Sequence, residues 1–227
     1  MSWSGTSEGS GGGAGDGASG RRGYHHGNLR EALITAAVEL IAGKGPAGFT
    51  IAEAARLAGV SPAAPYRHFR DAEALLAEVA LRGYDLFTQR LTKAWNKGRP
   101  DPARAFEAVG RAYLGFAREE PAYYAAMFDA QLALETHPDL QAAADRAFAV
   151  LREAADRIAA AAPAHRRPPA LMIALHVWAL SHGIASLFVR GGPARRKLPM
   201  SPEDLLEAGV LLYLQSLGLA GREDTPT

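Results

Sequence analysis

The sequence predicts an all-α protein, with a small N-terminal three-helix head of the helix-turn-helix type, a long connecting helix and a larger helical body. Three observations carry that prediction. Apolar residues recur every three or four positions, and no stretch alternates with a period of two. Gly and Pro punctuate the periodic stretches where helices should stop. The stretch from Thr50 to Asp71 reads as a capped helix, a glycine turn and a second, short helix.

Taken in order, residues 1–20 are mostly Gly and Ser and are expected to form a disordered tail. A first helix runs from about Asn28, a fitting N-cap, to Gly43, with Leu29, Leu33, Ala36, Ala37, Leu40 and Ile41 on one stripe. The segment 43–48, GKGPAG, stops it. That segment lacks the Walker spacing and is not a phosphate loop. Phe49 should pack with Leu33, Leu40, Val60 and Phe69. Thr50 caps the next helix, and Glu53 three residues on completes a capping box. Gly59 ends it, because glycine tolerates a left-handed turn. Ser61 and Pro62 suit the start of a short helix over 62–69, which Pro65 keeps short by removing a further donor. Asp71 caps a helix reaching Trp95, with Leu75, Leu76, Val79, Leu86, Phe87 and Leu91 on its buried side. Such a helix is too long for the head and must link it to the body. Asp101 and Pro102 open the body, whose helices are expected at 102–118, 121–133, 138–161, 168–190 and 202–218. The Gly/Pro-rich basic loop 191–200 is expected to be mobile. The expected domains are therefore the tail at 1–20, a head at 21–87 and a body at 88–220.

Charge is unevenly spread. Seven basic residues face three acids between Arg21 and Arg70, an excess of four, so the remainder carries −3 given +1 for the whole chain. A basic head suits a polyanionic partner, although a solvated helix face has the same composition. The absence of cysteine excludes disulfides, zinc–thiolate sites and thiol nucleophiles, and fits a reducing compartment. No signal peptide is visible. The apolar run Leu171–Val189 is broken by His176, Ser181 and His182 and reads as a buried helix rather than a membrane span. A cytoplasmic location is expected.

The helix-turn-helix pattern places its second helix in the DNA major groove. Ala63 and Ala64 would let the backbone approach base edges, and their methyls can touch thymine methyls. Arg67 can reach a phosphate or a guanine. Thr50 and Ser61 stand at helix starts, where hydroxyls and N–H groups suit phosphate oxygens as well as caps. His68 either packs at the core edge under Phe69 or meets a phosphate. Arg21 and Arg22, at the end of the tail, can enter an adjacent minor groove or touch phosphate without specificity.

Gly59-Val60-Ser61, Tyr66, His68-Phe69, Glu73 and Leu75-Leu76 resemble the signature of the TetR-type repressors. The run Tyr24-His25-His26-Gly27-Asn28-Leu29-Arg30 resembles the lead-in of one branch, and Trp178 with His182-Gly183 resembles that branch's Trp-His-Gly motif in the regulatory domain. The resemblance implies that the Tyr66 hydroxyl contacts a phosphate and that the body binds a ligand and dimerises. Where that family usually has a phosphate-binding lysine, this chain has Ala72, and Arg70 is the neighbouring substitute.

In the body, Tyr113, Phe116, Tyr124, Phe128, Trp178 and His182 are candidate ligand-binding residues. Aromatic residues at helical spacing also serve plain packing. Leu171, Leu175, Trp178, His182, Ala185 and Val189 share one stripe, with His182 in its middle. The last two helices are apolar nearly all round, with Leu205, Leu206, Val210, Leu211, Leu212, Leu214 and Leu217, so a homodimer through the last two helices of each subunit is expected. The expected function is a dimeric regulator, released from a palindromic operator by a small-molecule effector. The alternatives are a DNA-binding regulator that senses no ligand, and an all-helical carrier or enzyme. No paired carboxylates, metal spacing or nucleophile elbow occur, so no catalytic, metal or cofactor site is expected.

Overall fold

Side-chain caps start four of the helices, at Thr50, Asp71, Asp101 and Ser201. The computed structural model describes residues 29–162, 164, 167–189 and 199–219. The expected tail, Arg21, Arg22, the lead-in at 24–28 and most of the 191–200 loop lie outside the described residues. The helix α1 (Leu29–Lys44) buries Leu33, Ile34, Ala37 and Ile41. The helix α2 (Ile51–Leu57) starts at the capping box: the Thr50 hydroxyl accepts from the Glu53 N–H at 3.2 Å, and the Glu53 carboxylate accepts from the Thr50 N–H at 3.0 Å. Gly59 ends the motif with φ 71°. There the Val60 N–H donates to the Ala55 carbonyl at 3.0 Å and the Gly59 N–H to the Arg56 carbonyl at 3.1 Å, closing a Schellman motif.

The short helix expected over 62–69 is a single 3-10 turn, Ala64–Arg67. Ser61 does not cap it, since the N-cap is Ala63 and no side-chain cap forms. The physical reason is the pair of prolines, Pro62 and Pro65, which remove two N–H donors where an α-helical ladder would begin. The Pro65 ring is buried and its carbonyl accepts from both His68 and Phe69 N–H groups at 2.9 Å, so the turn closes at once.

The long helix α3 (Ala72–Trp95) belongs to both halves. The Asp71 carboxylate caps it, accepting from the Ala74 N–H at 2.8 Å. Its first turns bury Leu75, Leu76 and Val79 against the head, together with Phe49 and Phe69. Its later turns bury Tyr84, Phe87, Leu91 and Trp95 in the body. Leu86, expected on the buried side, faces solvent. Arg82 ties the halves of the head together, pairing with Glu31 of α1 and with Glu78 at 3.1 Å, while Arg30 pairs with Glu78 at 2.7 Å.

The body consists of α4 (Pro102–Glu119), α5 (Pro121–Phe128), α6 (Pro138–Ala159), α7 (Ala170–Ile184) and α8 (Pro202–Ser216). Asp101 caps α4 as expected, accepting from the Arg104 N–H at 3.0 Å. The helix α5 stops five residues before the expected end, and Gln131 beyond it takes φ 53°. From α7 the chain passes into a π-helical turn over residues 185–189. No strand occurs among the described residues. The apolar span Ala170–Val189 is long and apolar enough, by length and composition, to cross a membrane, and 39% of its most apolar window is buried in the body. One face of this run is buried in the body. Its buried face is Ile173, Ala174, Val177, Ser181 and Ile184, while Leu171 and Leu175 of the expected inward stripe are exposed. The helix is turned about its own axis by about one residue's arc from the expected orientation, so the predicted stripe lies along the edge of the packed face.

Helices α3 and α5 meet at Gly83, where an added Cβ would stand 2.8 Å from Met127 Sδ and 3.2 Å from Tyr123 Cβ. Met127 can swing away but the Tyr123 Cβ is fixed to its helix. Gly83→Ala should therefore push the two helices apart and cost about 1–3 kcal/mol. A thermal melt of the variant checks this, and an unchanged midpoint would show that α5 yields freely.

Candidate nucleic-acid interface and body cavity

The head presents one outward surface made by the 3-10 turn and its flanks. Pro65 and Phe69 point inward and fix it to the core. That leaves Ser61, Ala63, Tyr66, Arg67 and His68 exposed, Tyr66 at 58%. Ala64 is half-buried, so Ala63 is the freer of the two alanines. His68 does not pack under Phe69, because the Arg30 guanidinium lies over that ring at 5.6 Å. Thr50 is exposed but its hydroxyl is engaged in the capping box. Arg70 donates to the Asp71 carboxylate at 2.8 Å. Small residues on an exposed turn, with a phenol and a guanidinium beside them, suit close approach to a polyanionic groove.

The body holds a cavity of about 260 Å³ between α3, α4, α6 and α7. Of the six residues expected at a ligand site, Tyr113, Phe128 and Trp178 line it. Tyr124 and His182 are not on its wall. They form a polar cluster beside it: the Tyr124 hydroxyl lies 2.8 Å and the Tyr113 hydroxyl 3.2 Å from His182 Nδ1. The Tyr124 and His182 rings stack at 5.9 Å. When Nδ1 accepts from a phenol, the ring carries its proton on Nε2. Phe116 is fully buried away from the cavity, with its ring 5.0 Å from Phe87. Sequence reasoning missed Tyr84, Phe87, Gln141, Asp145 and Ser181 on the wall. Phe87 was expected on the buried side of the long helix and Tyr84 was not, and nothing in the sequence says that this side borders a void.

Burial holds the Tyr113 phenol well above its ordinary value, with Tyr124 adding to it, and burial pushes Tyr84 up to about 12. Both are neutral phenols at neutral pH. A phenol whose pKa is raised by folding stabilises the fold fully below its unfolded value of 10.0, and loses that contribution as pH rises through the folded value. The melting temperature should therefore fall between about pH 10 and 12, in step with phenolate absorbance. A melting temperature that stays flat across that window would show the buried phenols to be dispensable.

Residues 33–79 match the family description "Bacterial regulatory proteins, tetR family", and residues 106–213 match "Tetracyclin repressor-like, C-terminal domain". Together the matches cover more than half of the chain. The chain belongs to the TetR family. This is a family of non-enzymatic DNA-binding regulators. Among curated relatives, the chain is similar to an uncharacterized HTH-type transcriptional regulator, YobS, from Bacillus subtilis (strain 168), at 28% identity over 100 residues, 44% of this chain. The chain thus spans about half of that relative's length, 51%. Among solved structures, a protein of unknown function from Rhodococcus sp. RHA1 superposes with a TM-score of 0.71 at 28% identity, over 86% of this chain and 98% of the other. The TetR-family regulator PfmR from Thermus thermophilus gives 0.63 at 22% identity, over 81% and 97%. AibR, solved in complex with isovaleryl coenzyme A and operator DNA, gives 0.62 at 20% identity, over 81% and 96%. The all-α TetR architecture expected from the sequence therefore holds. The TetR head match ends at residue 79, inside α3, and the body match begins at 106, in α4.

Proposed function

We propose that this TetR-family chain is a cytoplasmic dimeric repressor that holds a palindromic operator with two recognition turns and releases it when a small molecule fills the body cavity. The observation that supports this best is the double duty of α3. Leu75, Leu76 and Val79 close the head core, and Tyr84, Phe87 and Leu91 of the same helix line the cavity. A molecule pressing on the second set tilts the first. In a dimer the two turns would lie about 34–36 Å apart, one DNA turn, or a multiple of it. A small tilt spoils that spacing. Lowering operator affinity 10–100-fold needs only about 1.4–2.8 kcal/mol of coupling. The last two helices supply the dimer surface, with Leu212 on α8 at 67% and Leu187, in the π-helical turn that continues α7, at 65% exposure. Trp178, His182 and Gly183 fall together on α7 beside the cavity, which supports the Trp-His-Gly branch. The head spans 21–87 and the body 88–220, with α3 running through the boundary.

The reading without a sensed ligand would be favoured by a fully packed body, and the cavity speaks against it. The AibR neighbour carries a small molecule and an operator together, the same pairing proposed here. The test has two steps. Sites are first selected from random duplexes. Operator affinity is then titrated against compounds that raise the melting temperature. A bound compound should weaken operator binding at least tenfold, the lower end of the coupling range above. One that binds tightly and leaves the operator affinity untouched refutes the coupling.

A further inference from the structure

Among the described residues, the cavity wall carries one charged side chain, Asp145 on α6, and no lysine, arginine or histidine. The Gln141 side-chain N–H donates to Asp145 Oδ1 at 3.0 Å. The adjacent Arg146 is turned to Asp85, at 3.0 Å, and does not neutralise it. Aromatic rings face the same space: Tyr84, Phe87, Phe148 and Trp178. Phe148 and Trp178 meet edge to face at 6.0 Å. The remaining polar groups are neutral, including the high-pKa phenols of Tyr84 and Tyr113.

This set sorts ligands by charge. Asp145 is exposed at the cavity, so its attraction for a cation and repulsion of an anion are partly screened by water and act mainly on a ligand head seated against it. Ring faces attract cations through their quadrupoles. A carboxylate- or phosphate-bearing ligand would meet no opposite charge and one like charge, with only neutral donors to replace its hydration. Room for roughly a dozen non-hydrogen atoms at protein-like packing density sets the size.

We infer that the effector is a small aromatic or branched alkyl ammonium, its apolar part among these rings and its charged head against Asp145. The inference rests on the ligand-release reading and adds the charge class to it.

Three probes of one shape test it: para-tert-butylbenzylamine, para-tert-butylbenzyl alcohol and para-tert-butylbenzoate. Each is titrated into the full-length protein by calorimetry at neutral pH, and into the protein–operator complex. The amine should bind about tenfold or more tightly than the alcohol, with the benzoate weakest. Asp145→Asn should bring the amine to within about twofold of the alcohol and leave the alcohol unchanged. The variant is isosteric and the site is exposed, so the fold should be retained, and an unchanged alcohol affinity reports that directly. An alcohol or benzoate that equals the amine, or an amine preference that survives Asp145→Asn, overturns charge selection and leaves the cavity standing as a neutral site. Failure of all three to bind overturns both the inference and the cavity as a ligand site. An amine that binds with the expected preference but leaves the operator complex intact supports charge selection and overturns ligand release.

Discussion

Aspartate in place of Leu212 should convert the protein into a monomer that no longer holds its operator. Leu212 is 67% exposed in the protomer. On α8 it stands between Leu211, itself exposed, and Tyr213, whose hydroxyl lies 3.0 Å from His176 Nδ1 of α7. Leu187, in the π-helical turn that continues α7, is exposed as well, at 65%. Exposed leucines of this kind are the candidate association surface. A carboxylate buried there without a partner must be desolvated, and the interface is lost before that cost is met. Operator affinity then falls for a separate reason. Two heads on one dimer bind as linked modules, and losing the link removes the roughly 10²–10⁴-fold advantage of the second, intramolecular contact. Sedimentation and operator titration of Leu212→Asp check both steps. The protomer should keep its helical spectrum, because the leucine supports no core of its own. A variant that remains dimeric would move the interface off this face.

The second large effect belongs to the recognition turn. Arg67→Ala should weaken operator binding by about 1–3 kcal/mol if its guanidinium reads a guanine, and selection should then relax at one base pair of each half-site. If it meets a phosphate, binding falls alike on all sequences and the salt slope drops by about one. Tyr66→Phe, which removes only the hydroxyl, should cost less than Tyr66→Ala, since a 58% exposed ring also fills space against the backbone of the duplex. Both substitutions lie outside the head core, so the melting temperature should not move. Operator binding that is indifferent to both would place the interface on another surface of the head.

Where sequence and structure agree, short-range chemistry explains the agreement. The Thr50–Glu53 box, the Gly59 stop, the Asp71 cap and the Asp101–Pro102 start each depend on groups within about five residues of one another. Where they part, the deciding partner is distant. The two prolines signalled a short recognition element and explain its collapse to one 3-10 turn, while which of its residues faces inward, Pro65, was set by the head core. Phe116 and Tyr113 both read as body aromatics on α4. Both pack against Phe87, but only Tyr113 reaches the cavity wall, while Phe116 is fully buried away from it. Asp145 had no distinguishing signal, because an acid on an amphipathic helix looks solvated until a void forms beside it.

Sequence alone determined the all-α class, the helix-turn-helix, the long shared helix and the apolar terminal helices, because caps, periodicity and glycine angles are properties of a few neighbouring residues. Tertiary structure alone decided which aromatic rings border the cavity, which residues of α7 face outward and which charge the cavity meets. Those depend on how the helices rotate about their own axes when packed, and a rotation of one residue's arc carries a side chain from core to solvent.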